Sequence, residues 1–251
     1  MTSIGRVREI VRYPVKSMAG SPASSARLGF HGIAGDRRFA FRRLGDGGGF
    51  PWLSASRFPG LTAYRPVGES TVANDPLPTH VRTPSGSELE LRSEELRAEI
   101  ARRSGLDVEL MMLKHGIFDD APVSLITMAT IGAIGREAGI EVDPRRMRPN
   151  LVLETESPDP FLEDGWIGAT LVFGDGPDAP AVSVTKRDER CAMINIDPNT
   201  AETDTRVLKA VVRLNGNYAG VYATVVRAGS LQVGQAVHLV RGLATEESPG
   251  R

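Results

Sequence analysis

The sequence predicts an α+β protein made mainly of strands, with a closed or partly closed β-barrel. Glycine and proline contribute 27 and 17 of the 251 residues, a content that favours many short elements joined by turns. Several segments alternate apolar and polar residues or are continuously apolar, the patterns of half-buried and buried strands. Only two or three segments carry good helix signals.

The N-terminal half begins with a strand pattern. Residues 7–12 alternate with a period of two and predict a strand, and residues 13–20 leave it through a loop bounded by proline and glycine. A second alternating strand is predicted at 38–42. The turn that follows has four glycines at 45–49 but lacks the Gly-Lys-Ser/Thr of a phosphate-binding loop.

A helix is predicted between a capping Ser93 and a terminating Gly105. Two glutamates lie in its first turn and two arginines in its last, an order that complements the helix dipole. A short apolar strand follows at 108–113. The next segment, His115 to Pro122, is polar and predicts a domain boundary.

The predicted organisation is therefore an N-terminal β-rich domain at 1–115, a C-terminal domain at 116–242 and a disordered tail at 243–251. In the C-terminal domain, strands are predicted at 123–126, 151–153, 171–173, 181–185 and 218–226, with two more within 229–240. One helix, capped by Thr127 or Thr130, should end at Gly139, and Asp204 should cap another that runs to Leu214.

Composition narrows the class of function. The formal net charge is −1 and the isoelectric point about 6.5, so no general attraction to nucleic acid or anionic membranes is expected. Apolar stretches are far shorter than a bilayer span, and the first residues lack the apolar core of a secretion signal. With a single cysteine, this predicts a soluble cytoplasmic protein.

Cys191 is the only cysteine of the chain. It can form no internal disulfide and no multi-cysteine zinc site. The preceding Arg190 favours the thiolate, the form that attacks carbon and binds metals. From these residues alone, Cys191 could be a buried spectator, a nucleophile or a single soft ligand to a metal held mainly by another group.

Three loops could present cations to an anion. Lys16 and Ser17 leave the first strand, Arg37 follows a glycine-rich turn, and Arg148 and Asn150 flank a proline after two further arginines. Arginine can fork onto phosphate, lysine supplies a point charge and serine a hydroxyl. Each segment taken singly is also compatible with an ordinary solvated surface.

Other catalytic arrangements are not indicated. The four histidines are scattered without ligand spacing, and no serine-hydrolase elbow occurs. Glu163 and Asp164 would point to opposite faces of an extended backbone, so we expect a loop anchored by Trp166 and not a carboxylate dyad. One thiolate and several cationic loops would suit a large anionic cofactor whose metal accepts one protein sulfur.

The order of short motifs resembles MOSC-domain proteins over about residues 5–241. The matching segments are Tyr13-Pro14-Val15-Lys16-Ser17, Asp36-Arg37, Asp120-Ala121-Pro122-Val123, Arg148-Pro149-Asn150, Glu163-Asp164-Gly165-Trp166, Phe173-Gly174, Arg190-Cys191 and Asp197-Pro198-Asn199-Thr200. The chain is most similar to the branch with an added N-terminal MOSC domain, which includes the mitochondrial amidoxime-reducing component and bacterial relatives.

This resemblance implies a β-barrel fold that binds a molybdopterin-type molybdenum cofactor, with Cys191 as catalytic metal ligand. By matched position, the residues expected to contact the cofactor are Lys16, Ser17, Arg37, Thr127, Thr130, Arg148, Asn150, Arg190 and Tyr222. One departure is Glu189, where the amidoxime-reducing relatives carry a small hydroxyl residue. Its carboxylate would either repel the anionic cofactor or lie outside the pocket.

The resemblance further implies reduction of N-hydroxylated or related N–O compounds. No cysteine-rich iron–sulfur motif is present, so a separate ferredoxin- or flavin-type protein is expected to supply electrons. A second hypothesis is a sulfur- or cofactor-carrier module that holds a persulfide on Cys191. A third follows family descriptions that mention pyridoxal phosphate, for which Lys16 could form a Schiff base.

Overall fold

The computed structural model describes residues 1–72 and 75–241, so the predicted tail at 243–251 lies outside the described residues. The strands of the first half are β1 (Thr2–Arg12), β2 (Ser21–Ala23), β3 (Ser25–Gly29), β4 (Gly32–Ile33), β5 (Phe39–Arg43), β6 (Arg65–Val67), β7 (Ser70–Val72), β8 (Asp75–Leu77), β9 (His80–Arg82), β10 (Glu88–Glu90) and β11 (Val108–Met112). Those of the second half are β12 (Val123–Thr127), β13 (Leu151–Thr155), β14 (Thr170–Phe173), β15 (Ala181–Glu189), β16 (Tyr218–Arg227), β17 (Gly229–Gln232) and β18 (Ala236–Val240). The helices are α1 (Glu94–Ser104), α2 (Met128–Ala138) and α3 (Arg206–Asn215).

Seven strands form a closed barrel, which confirms the predicted mainly-β α+β class. Around the barrel the order is β1, β13, β12, β16, β15, β14 and β18, and β18 pairs with β1 again. All these pairs are antiparallel except β12 with β13. That parallel pair requires a crossover connection, which α2 provides. The first strand of the chain thus closes a barrel whose other strands all follow residue 122.

Gly5 allows β1 to approach β13 closely. Its φ is +146°, in a region that side chains rarely adopt, and the pairing of β1 with β18 shifts register beside it. A Cβ atom placed there would lie 2.0 Å from the carbonyl oxygen of Glu154 on β13. Closure of the barrel at this point therefore requires glycine.

The barrel interior is a continuous apolar core. Val7 and Ile10 of β1 pack there with residues of the other barrel strands and with Trp166. Trp166 is 2% exposed, so the expected tryptophan anchor is confirmed. A separate core in the first half gathers Phe39 and Phe41 with the buried face of α1. Burying each such large side chain stabilises the fold by about 1.5–3 kcal/mol.

The helix boundaries largely follow the predicted caps. The Ser93 hydroxyl accepts the Leu96 amide at the start of α1, and Gly105 ends it in the left-handed conformation. In α3 the N-cap position is Thr205, one residue later than predicted. Asp204 nevertheless accepts the backbone amide of Arg206 at 3.0 Å, so its carboxylate still satisfies a free helix N–H.

The segment Leu162–Trp166 is a 3-10 turn, so the extended backbone expected for Glu163 and Asp164 is wrong. The two carboxylates still diverge. Glu163 is buried against α2, whereas Asp164 accepts the Asn215 amide at 2.8 Å. Among the helices of the described residues, none is long and apolar enough to cross a membrane.

Candidate functional site

A cavity of about 290 Å³ opens at one end of the barrel, where β1 and β15 end and β12 and β13 begin. Seven of the ten predicted site residues line it: Lys16, Ser17, Arg37, Arg148, Arg190, Cys191 and Tyr222. They come from five separate places in the chain. The fold therefore brings together most of the residues that were selected by sequence alone.

Backbone pairing places Lys16 beside Arg37. The amide of Lys16 donates to Phe39 O at 2.8 Å, and the amide of Arg37 donates to Tyr13 O at 2.8 Å. On the other side, Ile117 donates to Arg37 O at 2.8 Å. These hydrogen bonds join three backbone segments side by side. The loop that follows β11 therefore lies next to Lys16 and Arg37 and lines the same cavity.

Three cavity residues have strained backbones. Ser17, Arg37 and Arg148 have φ values of 66°, 48° and 52°. Only six non-glycine residues in the described parts of the chain have positive φ, so half of them lie in this cavity. The left-handed conformation costs about 1–2 kcal/mol per residue. Such strain concentrates where a fold must hold particular groups in place for binding or catalysis.

Arg37 and Arg148 both contact the ring of Tyr13. Their guanidinium carbons lie 5.1 and 4.2 Å from the ring centroid. Burial raises the pKa of Tyr13 to about 12, so the ring is a neutral support for two cations at neutral pH. Burial by itself would lower the pKa of Arg37, but Asp36, 2.5 Å away, outweighs it and raises that pKa.

Arg148 differs from the other cavity cations. Each of the others has a carboxylate partner: Lys16 with Asp119 at 2.6 Å, Arg37 with Asp36 at 2.5 Å, Arg146 with Asp197 at 2.8 Å and Arg190 with Asp188 at 2.9 Å. Among the described residues, Arg148 has no carboxylate within 4 Å, and its guanidinium donates only to Met18 O, at 2.7 Å. Burial lowers its pKa to about 10, so it remains cationic at neutral pH.

Lys16 is almost completely covered. Its side chain is 7% exposed, its ammonium contacts Asp119, and the ring of Phe50 lies 5.4 Å from Nζ. Burial lowers the pKa of Lys16, and the Asp119 carboxylate offsets part of that effect. Phe50 is presented from the predicted glycine turn, because the buried guanidinium of Arg43 holds its carbonyl at 2.7 Å.

Cys191 is exposed at the cavity wall. It directly follows Arg190 at the end of β15 and is the N-cap of the 3-10 turn Ala192–Asn195. The Arg190 guanidinium is largely used by the backbone, donating to Ala219 O at 2.7 Å and Met147 O at 2.8 Å. Its Nη2 is buried and forms the ion pair with Asp188 Oδ2 at 2.9 Å.

Arg146 holds the turn that carries Cys191. It donates to Asn195 O and to Asp197 Oδ2, both at 2.8 Å. Asn195 in turn accepts the Leu208 amide of α3 at 2.9 Å. Sequence reasoning identified the arginine run as a source of cations, but only the fold shows that this member positions the cysteine segment.

Three predicted cofactor contacts lie outside the cavity lining. Asn150 is buried, where its amide contacts Ser124 N, Arg37 and Val11 O. Thr127 caps α2, and both Thr127 and Thr130 donate to Glu163 Oε2 at 3.0 Å. In this structure these side chains tie elements together and do not face the cavity.

The cavity also contains acidic residues that sequence reasoning did not select as site residues: Asp119, Asp120, Asp188 and Glu189. Glu189 is thus part of the lining. Asp188 is 2% exposed, and burial raises its pKa although Arg190 opposes the shift. The half-buried Tyr222 has a raised pKa, through burial first and then the nearby Asp188 charge. Only the alternating pattern of β15 could have indicated that Asp188 faces inward.

Family models cover nearly all of the described chain. The MOSC N-terminal beta barrel domain matches residues 4–118, and the MOSC domain matches residues 112–238. The chain belongs to the MOSC family. A search of the curated proteins finds no match. At family level, MOSC domains are associated with the molybdenum cofactor.

Solved structures resemble the protein at low sequence identity. The YuaD protein of Bacillus subtilis aligns with a TM-score of 0.50 at 13% identity, over 95% of this chain and 96% of YuaD. YiiM of Geobacillus stearothermophilus aligns with a TM-score of 0.37 at 17% identity, over 49% of this chain and 56% of YiiM. The YuaD alignment supports the same overall fold across both halves.

The donor set of this MOSC cavity fits a molybdenum cofactor. The exposed thiol of Cys191 is a soft donor of the kind that complements a sulfur-bound metal. Arg148 lacks a carboxylate within 4 Å among the described residues and lines the cavity, so its guanidinium can receive an anionic group. No group of three or more histidine, cysteine or acidic side chains suited to a metal occurs in residues 1–72 and 75–241.

Proposed function

We propose that this MOSC protein is a cytoplasmic molybdenum-cofactor-dependent reductase of N-hydroxylated or N-oxygenated compounds. A separate ferredoxin- or flavin-type protein would supply its electrons. The observation that carries the proposal is the convergence of an exposed Cys191 with Lys16, Arg37 and Arg148 in one cavity. The bound cofactor would supply the two-electron redox chemistry.

The protein's own residues would bind and orient that cofactor. Arg148 offers a guanidinium without a competing carboxylate among the described residues. Ser17, Arg37 and Arg148 line the cavity with positive φ values, which the surrounding fold must impose. Cys191 would add one thiolate ligand from a turn held by Arg146. Charge, position and a soft donor are therefore combined on rigid elements.

A second candidate is a carrier that holds sulfur as a persulfide on Cys191. The exposure of this thiol favours it, since a sulfur to be delivered must be accessible to a partner. Intact-mass spectrometry separates the two candidates. A carrier would show the mass of one additional sulfur on Cys191, which a thiol reductant removes. A reductase needs no such added sulfur for its activity.

The deciding experiment compares the wild type with Cys191→Ala, each produced in a host that makes molybdenum cofactor. We expect about one molybdenum and one pterin per wild-type chain. In the variant we expect loss of N-hydroxy reduction with pterin fluorescence retained, because the cationic contacts remain. Ala192→Ser, which changes the exposed neighbour, is the matched control and should behave as wild type.

The proposal has clear contrary outcomes. Full reductase activity in Cys191→Ala would exclude a ligand role for this cysteine. Absence of both molybdenum and pterin from the wild type, with a removable sulfur on Cys191, would replace the reductase with the carrier.

A further inference from the structure

Asp119 occupies a place that an anionic ligand would require. Its Oδ1 lies 2.6 Å from Lys16 Nζ and is the carboxylate partner of that ammonium. Lys16 retains only 7% side-chain exposure because Asp119 and Phe50 cover it. An incoming phosphate-type group would therefore compete with Asp119 for the Lys16 ammonium, which lines the cavity.

The electrostatic surroundings of Asp119 extend beyond Lys16. Partial desolvation would raise the pKa of Asp119, but Lys16 first, and then Arg37 and Arg148, outweigh it and hold that pKa below its usual value. These three cations are the ones expected to hold an anionic cofactor. The carboxylate therefore already experiences the field that would attract the ligand.

Asp119 is also free to leave. Its side chain is 58% exposed, and among the residues that the structure describes its only side-chain hydrogen bond or ion pair is with Lys16. It lies in the connection between β11 and β12, in which Gly116 has a φ of 87°. Release exposes the carboxylate to water, where it is stable as an anion, so displacement leaves no buried unpaired charge.

We propose that Asp119 is an internal competitor that selects polyvalent anions at the Lys16 end of the cavity. This inference rests on the proposed anionic cofactor site and adds a selectivity device to it. A tethered carboxylate acts at a high effective concentration. A free monoanion replaces one charge by an equal one and gains little. A diphosphate or phosphate monoester brings a second charge and more acceptor oxygens for Arg148 and Arg37.

The neighbouring Asp120 provides a matched control. It lines the same cavity and carries the same charge, but its partner is Lys186, which is half exposed and outside the lining. Removing either carboxylate makes the cavity more positive by one charge. Only removal of Asp119 would also vacate the contact on Lys16.

The test measures pyrophosphate and acetate binding by calorimetry to full-length protein from a host that cannot make the pterin. Relative to wild type, we expect Asp119→Asn to bind pyrophosphate about tenfold more tightly, because pyrophosphate no longer competes with the Asp119 carboxylate for Lys16. Acetate affinity should rise by a larger factor, because pyrophosphate in the wild type can still contact Arg148 and Arg37 while Asp119 stays in place; an equal rise for the two anions would overturn the selectivity. Asp120→Asn should change either affinity less than threefold. Asp119→Ala repeats the measurement if the asparagine variant folds poorly.

The outcomes separate this inference from the proposed function. Equal pyrophosphate affinity in wild type and Asp119→Asn, or weaker binding in the variant, would overturn the competitor while leaving the anion site intact. If Asp119→Asn and Asp120→Asn raise pyrophosphate affinity equally, the gain comes from the lost negative charge alone. That outcome would also overturn the competitor role of Asp119. If no variant binds pyrophosphate, the anion site itself is wrong and the competitor falls with it.

Discussion

The guanidinium of Arg148 is held in position for an anionic ligand by contacts within the protein itself. Its backbone is held at a φ of 52°, its guanidinium rests 4.2 Å from the Tyr13 ring, and Met18 O accepts one of its hydrogen bonds. These contacts fix the position of the group without neutralising its charge. A partly buried cation without a carboxylate loses hydration that no anion replaces, and an anionic ligand would offset that cost.

Substitution of Arg148 should therefore weaken anion binding more than substitution of any paired arginine. We expect Arg148→Ala to lower pyrophosphate affinity about 10- to 100-fold, since hydrogen bonds to charged groups contribute about 1.5–3 kcal/mol. Arg148→Lys should recover part of the loss, because lysine keeps the charge but not the fork. Calorimetry on cofactor-free protein measures both.

Arg145→Ala is the control for that experiment. Arg145 is three residues away, but its guanidinium is held by Asp143 and by Asn199, and it is not part of the cavity lining. Its removal should leave the affinity within twofold of wild type. Equal losses in the Arg145 and Arg148 variants would mean that net charge, and not the position of Arg148, determines binding.

For single residues, the sequence could indicate which side chains belong to the site but not which way each side chain points. Order of motifs placed Lys16, Arg37, Arg148 and Cys191 in one family pattern, and the fold gathers them in one cavity. Asn150 matched the same pattern, yet its amide is used by Arg37 and by two backbone groups. Which way a side chain leaves a loop depends on tertiary hydrogen bonds that no local pattern contains.

Among the elements, α2 depends on a buried carboxylate. Glu163 is fully buried and accepts hydrogen bonds from the hydroxyls of Thr127 and Thr130 and from the Thr127 amide. Thr130 also accepts the amide of Phe161 at 2.7 Å. The start of α2 and the turn that carries Trp166 are therefore joined through one network, and such networks stabilise only while every member is satisfied.

The protonation of Glu163 should make stability fall as pH rises. Burial raises its pKa, and the hydrogen bonds from Thr130 and Thr127 offset only part of the shift. Between the unfolded pKa, about 4.3, and the higher folded value, the native state binds more protons than the unfolded state. Its free energy of unfolding consequently decreases with pH. Relative to Glu163→Gln, the wild type should lose stability between pH 5 and pH 8.

Urea unfolding of both proteins at the two pH values measures this difference. Glu156→Gln serves as the control, because Glu156 is an exposed carboxylate whose side chain, within the described parts of the chain, accepts a hydrogen bond only from Ser3. That variant should parallel the wild type. If wild type and Glu163→Gln differ in free energy of unfolding by the same amount at pH 5 and pH 8, Glu163 binds its proton equally well in the folded and the unfolded protein. That result would contradict the raised pKa.

Strand and helix boundaries were more predictable than the turn at 162–166. The caps of α1 and α2 and the strong apolar runs of the barrel strands are local signals. The 3-10 turn has no comparable signal, because its conformation follows from burial of Glu163 under α2. Its N-cap, Phe161, even adopts a φ of 59°, which local propensity disfavours.

The whole molecule is organised by pairing between its two ends. β1 pairs with β13 on one side and β18 on the other, and Thr2 faces Leu239. Sequence patterns predicted strands at the positions of β1, β13 and β18 but assigned residues 1–115 to one domain and 116–242 to another. Sequence periodicity is a local signal and does not show which distant strands pair. The pairing of β1 with a strand more than 200 residues away therefore could not be derived from it.

Closure by β1 predicts that residues 116–241 do not fold well alone. Without β1, β13 and β18 would both present unpaired edges, which favour aggregation, and the core would lose Val7 and Ile10. We expect this fragment to be largely insoluble or to unfold without cooperativity. Joining residue 241 to residues 1–12 through a short glycine-rich linker should restore soluble protein, because the end of β18 already lies beside the start of β1.

Circular dichroism during urea titration distinguishes the fragments, and Gly5→Ala in the joined fragment is the decisive control. A Cβ at this position would lie 2.0 Å from Glu154 O, so the appended strand could no longer pair normally with β13. Cooperative unfolding should appear in the joined fragment and be lost again with Gly5→Ala. If residues 116–241 alone unfold cooperatively at the same urea concentration as the joined fragment, the barrel does not need β1, and the cavity must be held together by the C-terminal strands themselves.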